Sequence, residues 1–264
     1  ADVTVEFDAS CEADASVETL GMAIATATDN CDMPEVMTEY ADSDTVDLCG
    51  PSFAFTRTFS MSSTDACGNV SEVETCVQVI TVTDMTAPSM DAEAMAMTVE
   101  CDGAGNAADL DAWLASNGGA SATDACGGVS WSNDFDALSD DCGATGSSTV
   151  MFTATDDCGN ATNTMATFTI EDTTAPTRDA EAMDATVECD GAGNVTDLEA
   201  WLASNGGASA TDACGGVTWS NDYSGLENTC GLAGSAIVTF TAVDDCGNAT
   251  STMATFTIED TTAP

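Results

Sequence analysis

Asp, Asn and Cys recur in this chain in one tight arrangement. Asp156-Asp157-Cys158-Gly159-Asn160 returns as Asp244-Asp245-Cys246-Gly247-Asn248 and, more loosely, as Asp65-Ala66-Cys67-Gly68-Asn69. Carboxylate and amide oxygens are hard ligands, suited to a cation such as calcium, which takes six to eight of them. The cysteines offer thiol or disulfide chemistry. There are thirteen, most at repeated positions and none in a CxxC or Cys/His pattern, which fits disulfides in an oxidising compartment better than zinc sites. Against 46 acidic side chains stand only Arg57 and Arg178, with no Lys and no His, so the formal charge is -44. That charge excludes nucleic acid and anionic membrane surfaces as partners and makes divalent cations the natural counter-charge. Catalysis finds no reacting group: no His or Lys, no Ser in a nucleophile elbow, no Gly-rich phosphate loop. Paired carboxylates alone would suit a glycosidase, which needs a larger cleft than a small sandwich offers.

The elements that must position these turns are themselves repeated. Cys101, Cys126, Trp131, Cys142 and Cys158 return as Cys189, Cys214, Trp219, Cys230 and Cys246, always 88 residues on. The chain therefore reads as three domains, 1–88, 89–176 and 177–264, each closing on Thr-Ala-Pro, the first divergent. Units of this size hold a small core that usually needs a staple. Val3–Glu6 suits an edge strand, and Met22–Thr28, Phe53–Ser60 and Val77–Thr83 read as further strands. In the second repeat Val129 and Trp131, then Val150, Phe152 and Ala154, then Ala166, Phe168 and Ile170 alternate with polar residues. Such alternation between turn signals predicts an all-β fold of antiparallel sandwiches with one wet, hydroxyl-rich face. Between strands, Leu110, Trp113 and Leu114 fall at i, i+3 and i+4 before Asn117-Gly118-Gly119, which predicts a short helix. In the third repeat Thr196-Asp197-Leu198-Glu199 has the spacing of a capping box. Trp113 and Trp201 read as lids on the core rather than a ligand platform, and Trp131 and Trp219 as core anchors. With no leader or apolar span in view, the chain reads as an excerpt of a longer extracellular array.

Thr28-Asp29-Asn30-Cys31, Thr64-Asp65-Ala66-Cys67-Gly68-Asn69 and the closing Ile80-Thr81-Val82-Thr83-Asp84-Met85-Thr86-Ala87-Pro88 resemble the HYR-like, immunoglobulin-like repeats of bacterial surface adhesins and of gliding-associated cell-surface proteins of the Bacteroidota. The resemblance covers all three repeats. It departs at the helix of repeats two and three and at Phe7, where those repeats have Cys101 and Cys189. It implies tandem immunoglobulin-like sandwiches in a non-enzymatic array. With the strand order it implies, Cys126 pairs with Cys158, Cys101 with Cys142, Cys214 with Cys246, Cys189 with Cys230, Cys31 with Cys67 and Cys11 with Cys49, leaving Cys76 unpaired or joined to another chain. The same order brings Asp84, Asp124, Asp156, Asp157 and Asn160 to one junction, and Asp172, Asp212, Asp244, Asp245 and Asn248 to the next. Asp29, Asp65 and Asn69 are the counterparts in the first repeat. Converging carboxylates repel unless a hard cation sits among them, so calcium is expected at each joint.

Three functions from different classes follow. The first is a calcium-stiffened, disulfide-stapled stalk, fibre or adhesin filament at a cell surface, its partners being further repeats or other copies. The second is an adhesive module gripping a glycan or surface ligand. The third is adaptation to high salt without specific metal sites. Of the 46 acidic residues 31 are Asp, many at strand ends, a distribution that favours the first over a halophilic surface.

Overall fold

The computed structural model describes residues 1–263; Pro264, the last residue of the third repeat, lies outside them. The first repeat holds β1 (Val3–Glu6), a single helical turn α1 (Val17–Leu20), β2 (Glu35–Asp42), β3 (Val46–Asp47), β4 (Phe53–Thr64) and β5 (Glu74–Thr83). The second holds β6 (Ser89–Ala92), β7 (Met97–Glu100), α2 (Ala107–Ala115), β8 (Ser121–Thr123), β9 (Val129–Asn133), β10 (Gly146–Asp156) and β11 (Ala161–Glu171). The third holds β12 (Thr177–Ala180), β13 (Ala185–Glu188), α3 (Val195–Ala203), β14 (Ser209–Thr211), β15 (Val217–Asn221), β16 (Glu227–Cys230), β17 (Ala233–Asp244) and β18 (Ala249–Glu259). The sheets run β1-β5-β4-β2, β7-β11-β10-β9 and β13-β18-β17-β15, with ribbons β6-β8 and β12-β14 beside the second and third. Each first strand named runs parallel to its repeat's last strand, so the expected antiparallel sheets are mixed at one edge.

Contacts divide the chain into two compact units, and the division does not follow the 88-residue repeats. The first unit comprises residues 1–95, 116–134 and 151–165. Here β4 and β5 pair with Phe55 opposite Ile80 and Phe53 opposite Val82. The period of two turns Phe55, Ile80 and Val82 inward, where Val5, Phe7 and Leu20 pack on them. Arg57 is also buried; it grips Asp42 with two hydrogen bonds of 2.7 and 2.8 Å and lies over the rings of Tyr40 and Phe55. The guanidinium holds the Asp42 carboxyl below the usual carboxylate range. Met22–Thr28 is not a strand: no neighbour pairs with it and Ile24 is 93% exposed, because alternation makes a strand only where a partner covers its backbone.

The second unit comprises residues 96–115, 135–150 and those from 166 onward. In it Leu198, Trp201, Val238, Phe240, Phe256 and Ile258 form one buried cluster. Trp201 is the predicted lid: its ring meets Phe240 and Phe256 at 5.1 and 5.4 Å, and its indole N–H donates to the Met183 carbonyl. Trp113 packs likewise on Phe168 at 5.5 Å. Trp219, expected as a core anchor, is half-buried at the edge of the cluster, and Trp131 is half-buried too. The capping box does not form. The helix begins at Val195, so Thr196 lies inside its first turn, and Asn194 occupies the cap position without a side-chain cap bond. The Asn194 side chain is used elsewhere, accepting the Asp190 N–H and donating to the Glu188 carbonyl and to Asp197.

Candidate metal centre

Each acidic turn closes on its own side chain. Asp156 Oδ1 accepts the N–H groups of Cys158 and Asn160 at 2.8 and 2.9 Å, while Gly159 turns the chain with φ +90°. Asp244 Oδ1 does the same for Cys246 and Asn248 at 2.9 and 2.8 Å. The shorter turns follow suit, Asp124 accepting the Cys126 N–H and Asp212 the Cys214 N–H, both at 2.8 Å. These bonds fix one carboxylate oxygen of each Asp and turn the other toward a neighbour.

In the first unit the preceding linker meets these turns. Asp84, Asp124 and Asp156 each offer an oxygen within 4.8 Å of the others, and Asp84 and Asp156 are only 4% and 6% exposed. Asn160 ties the linker down, its Nδ2 donating to the Asp84 carbonyl at 3.1 Å and to Asp156 Oδ2 at 2.8 Å. Ser52 Oγ accepts the Asp84 N–H at 3.0 Å from below. In the second unit Asp172, Asp212 and Cys214 lie within the same mutual reach, but the Cys214 sulfur is bridged to Cys101 and offers no thiolate. Asp244 lies near enough for its charge to act on Asp172, and its Oδ2 is buried without a hydrogen-bond partner. Burial, followed by the charges of Asp212, Asp244 and Glu100, pushes the Asp172 carboxyl above its usual range. Asn248 Nδ2 donates to the Asp172 carbonyl at 3.0 Å.

The remaining expected ligands are used differently. Asp157 and Asp245 turn away to accept the N–H groups of Gly128 and Gly216 at 2.9 and 2.7 Å. That contact explains the Cys-Gly-Gly sequences, since a Cβ on Gly127 or Gly215 would meet the carboxylate at 2.8 or 2.7 Å. Asn160 and Asn248 hold the linkers. In the first repeat Asp29 accepts the Cys31 N–H, and Asp65 accepts from Cys67 and Asn69; among the described residues no third acidic group joins them. Glu100, missed in the sequence, takes the Thr173 and Thr174 hydroxyls and the Thr173 N–H at 2.6–2.9 Å. Its return 88 residues later as Glu188 was the available signal, and Glu188 binds Thr261 and Thr262 in the same way.

The cysteines pair otherwise than expected. The bridges are Cys11–Cys126 and Cys49–Cys158 in the first unit, and Cys101–Cys214 and Cys142–Cys246 in the second, with Cα separations of 4.9–6.1 Å. The expected pairs Cys126 with Cys158, Cys101 with Cys142, Cys214 with Cys246 and Cys11 with Cys49 are thereby overturned. Cys189 and Cys230, and Cys31 and Cys67, are likewise unbridged, and Cys76 is an exposed thiol. The physical reason is the short linker: it presses the end of one repeat onto the turns of the next, so each turn cysteine meets a sulfur of the preceding repeat before one of its own. Cys11, at φ +57°, takes the part that Cys101 plays one repeat later.

The donor set is three carboxylates at the first centre and the carboxylates of Asp172 and Asp212 at the second, with no imidazole or thiolate at either, which fits a hard divalent cation and not zinc. Neither Arg reaches it, Arg57 being held by Asp42 and Arg178 lying 3.7 Å from Glu181.

No protein-family model and no curated protein sequence matches the chain. Among solved structures it is similar to mouse clustered PcdhgC3 EC1-3 (12% identity, TM-score 0.27, covering 79% of this chain and 77% of that one). It is also similar to Drosophila N-cadherin EC1-4 (10%, 0.30, 78% and 58%) and to mouse Cadherin-23 EC22-24 (12%, 0.25, 84% and 86%). The chain thus spans little more than half of the Drosophila fragment. At such identities and TM-scores, the functional reading has to come from the chain's own residues.

Proposed function

We propose that this chain is a non-enzymatic repeat segment of an extracellular adhesive or stalk protein, of the bacterial surface kind its HYR-like motifs resemble, with calcium at its joints. The observation that carries this reading is how the carboxylates meet: at the first joint Asp84 of the linker lies within reach of Asp124 and Asp156 from the turns of the following repeat, and at the second Asp172 of the linker lies within reach of Asp212. A cation there would supply the positive charge they lack and draw linker and turns together. Asp172, held above its usual carboxyl range by burial and by its neighbours' charge, marks the repulsion such a cation would relieve. The turns are set in advance by their own backbone bonds, so binding would order little and stiffen the joint. Four bridges between successive repeats suit an oxidising, extracellular setting. No helix of the described residues is long and apolar enough to cross a membrane.

Calorimetric titration of the oxidised chain with calcium chloride at moderate salt tests the proposal. Two bound ions are expected, with Asp84→Asn and Asp172→Asn each removing one. Saturation should raise stability by about 2.7 kcal/mol per site once free calcium is a hundredfold above Kd. No binding heat in the wild type would sink the calcium reading and favour the high-salt one.

A further inference from the structure

The bridge Cys101–Cys214 closes directly on the second centre, and this sets that joint apart from the first. Cys214 Sγ and a carboxylate oxygen from each of Asp172 and Asp212 lie within 4.8 Å of one another, whereas the group at the first joint is Asp84, Asp124 and Asp156, which Cys126 does not join. While bridged, the sulfur offers no thiolate. Once the bridge is opened, the same place holds two thiols and two carboxylates.

Each donor is positioned by contacts that the bridge does not supply. Asp212 Oδ1 accepts the Cys214 N–H at 2.8 Å, so carboxylate and sulfur leave one turn side by side. Cys101 continues the parallel pairing of β7 with β11, its N–H donating at 2.8 Å to the carbonyl of Glu171, the residue before Asp172. The Cys214 turn is wedged in place: neither Gly103, against the Ala213 carbonyl, nor Gly143, against that of Cys214, has room for a Cβ. The Ala144 N–H donates to the Cys214 carbonyl at 2.7 Å, and Cys142–Cys246 staples the joint a second time. Opening one bridge thus leaves the four donors facing one another.

A buried charge beside them calls for a cation. Asp244, 5% exposed, leaves its Oδ2 without a hydrogen-bond partner, and its charge acts on Asp172. Cys101 and Cys214 are themselves 8% and 5% exposed, so a thiolate pair formed there would share that shortage of water.

We infer that the Cys101–Cys214 bridge is a redox gate on metal choice: closed, the joint presents carboxylates alone; open, it takes a thiophilic divalent cation, zinc above all, on Cys101, Cys214, Asp172 and Asp212. Two sulfurs and two oxygens make a tetrahedral zinc set. The reductant is a dithiol. One of its thiolates attacks a sulfur of the bridge and expels the other protein thiolate; its second thiolate then attacks the mixed disulfide at the dithiol sulfur, closing a ring and releasing the remaining protein thiolate. Two electrons pass from the dithiol to the bridge, and the dithiol's two protons go to the buffer because zinc takes both protein sulfurs deprotonated. The inference shares Asp172 and Asp212 with the calcium reading and does not rest on it.

The test uses the full chain with the unbridged cysteines, Cys31, Cys67, Cys76, Cys189 and Cys230, changed to Ser. In that background Cys101→Ala leaves Cys214 as a single thiol without any reductant, and the other bridges hold the fold. Cobalt(II), a zinc surrogate whose thiolate bands are visible, is then titrated in. A thiolate-to-cobalt band saturating at one ion per chain and displaced by zinc is expected. Adding Asp212→Asn should abolish the band, and Cys11→Ala, which frees Cys126 at the first joint instead, should give none. A second measurement opens the bridge itself: the background chain is reduced with a phosphine, alkylated in zinc chloride or in chelator, and mapped by mass spectrometry. Zinc should protect Cys101 and Cys214 and leave Cys11 and Cys126 reactive. Intact mass certifies the remaining bridges of each single-thiol variant, and where a variant fails to form them the alkylation map decides. The inference is overturned by a correctly bridged Cys101→Ala chain without a band, by an equal band in Cys11→Ala, by a band that survives Asp212→Asn, or by alkylation of Cys101 and Cys214 that zinc does not slow. Calcium heat in the oxidised chain without a cobalt band removes this inference alone, and a band without calcium heat removes the calcium reading alone.

Discussion

The two joints share their bridges and their acidic turns and differ in how the linker is anchored. At the first, Asp84 is buried, Ser52 takes its N–H, and Asn160 satisfies Asp156 Oδ2. At the second, Asp172 is half-exposed, Glu100 clamps the two threonines that follow it, and Asp244 Oδ2 has no partner. The first joint is tied by neutral hydrogen bonds inside the protein. The second leaves a carboxylate oxygen buried and unanswered, and it should lean more heavily on a cation. One architecture can thus be held by the same covalent staples with unequal electrostatic debts.

The largest effect should come from the staples, and it should not distinguish the joints. Cys49 and Cys158 are 109 residues apart and Cys142 and Cys246 are 104, so their closure entropies are nearly equal. Replacing either pair with alanines should cost about 2–4 kcal/mol in denaturant unfolding. A cost at one joint alone would break the comparison.

Ser52→Ala comes next and should distinguish them. It strands the buried Asp84 N–H, a loss of about 1–3 kcal/mol. Glu100→Gln at the second joint should lower the melting temperature less, because the threonines it releases can turn to water. Equal losses would mean that the clamp, although exposed, anchors as firmly as the buried serine.

The smallest effect carries the most information. In chelator, Asp172→Asn should stabilise the chain, by about 1 kcal/mol or less given how far solvent screens a half-exposed group. The folded carboxyl holds its proton to higher pH than the unfolded one, whose ordinary value is 3.8. Ionisation is therefore penalised above the raised value, and the variant's advantage should be full at neutral pH and vanish as the pH falls past 3.8. Asp84→Asn should gain less, since Asn160 already bridges that linker to Asp156. A pH-independent gain at Asp172 would show that repulsion is not its source.

Much of this was legible without coordinates, and what was legible was local. The 88-residue period, the strands around Phe55, Phe152 and Phe240, and the helix carrying Trp201 follow from residue type and spacing, because alternation and the i, i+3, i+4 stripe encode which side is buried. The turn Asp156–Asn160 is likewise written in its own five residues, since Asp156 closes it on backbone groups two and four positions on. Local signals misled where the surroundings decided otherwise: the helix starts at Val195, so Thr196 of the expected capping box falls inside its first turn, and Met22–Thr28 had no strand to pair with. Asp157 and Asp245 looked like ligands until the glycine N–H groups that donate to them were seen beside them. The sequence by itself determined a repeated all-β chain with acidic, cysteine-bearing turns and an excess charge that calls for cations. Only the tertiary structure decided that each turn cysteine bridges to the repeat before it. A disulfide needs two Cα atoms within about 7 Å, and no spacing along the chain states which turns a five-residue linker will bring that close.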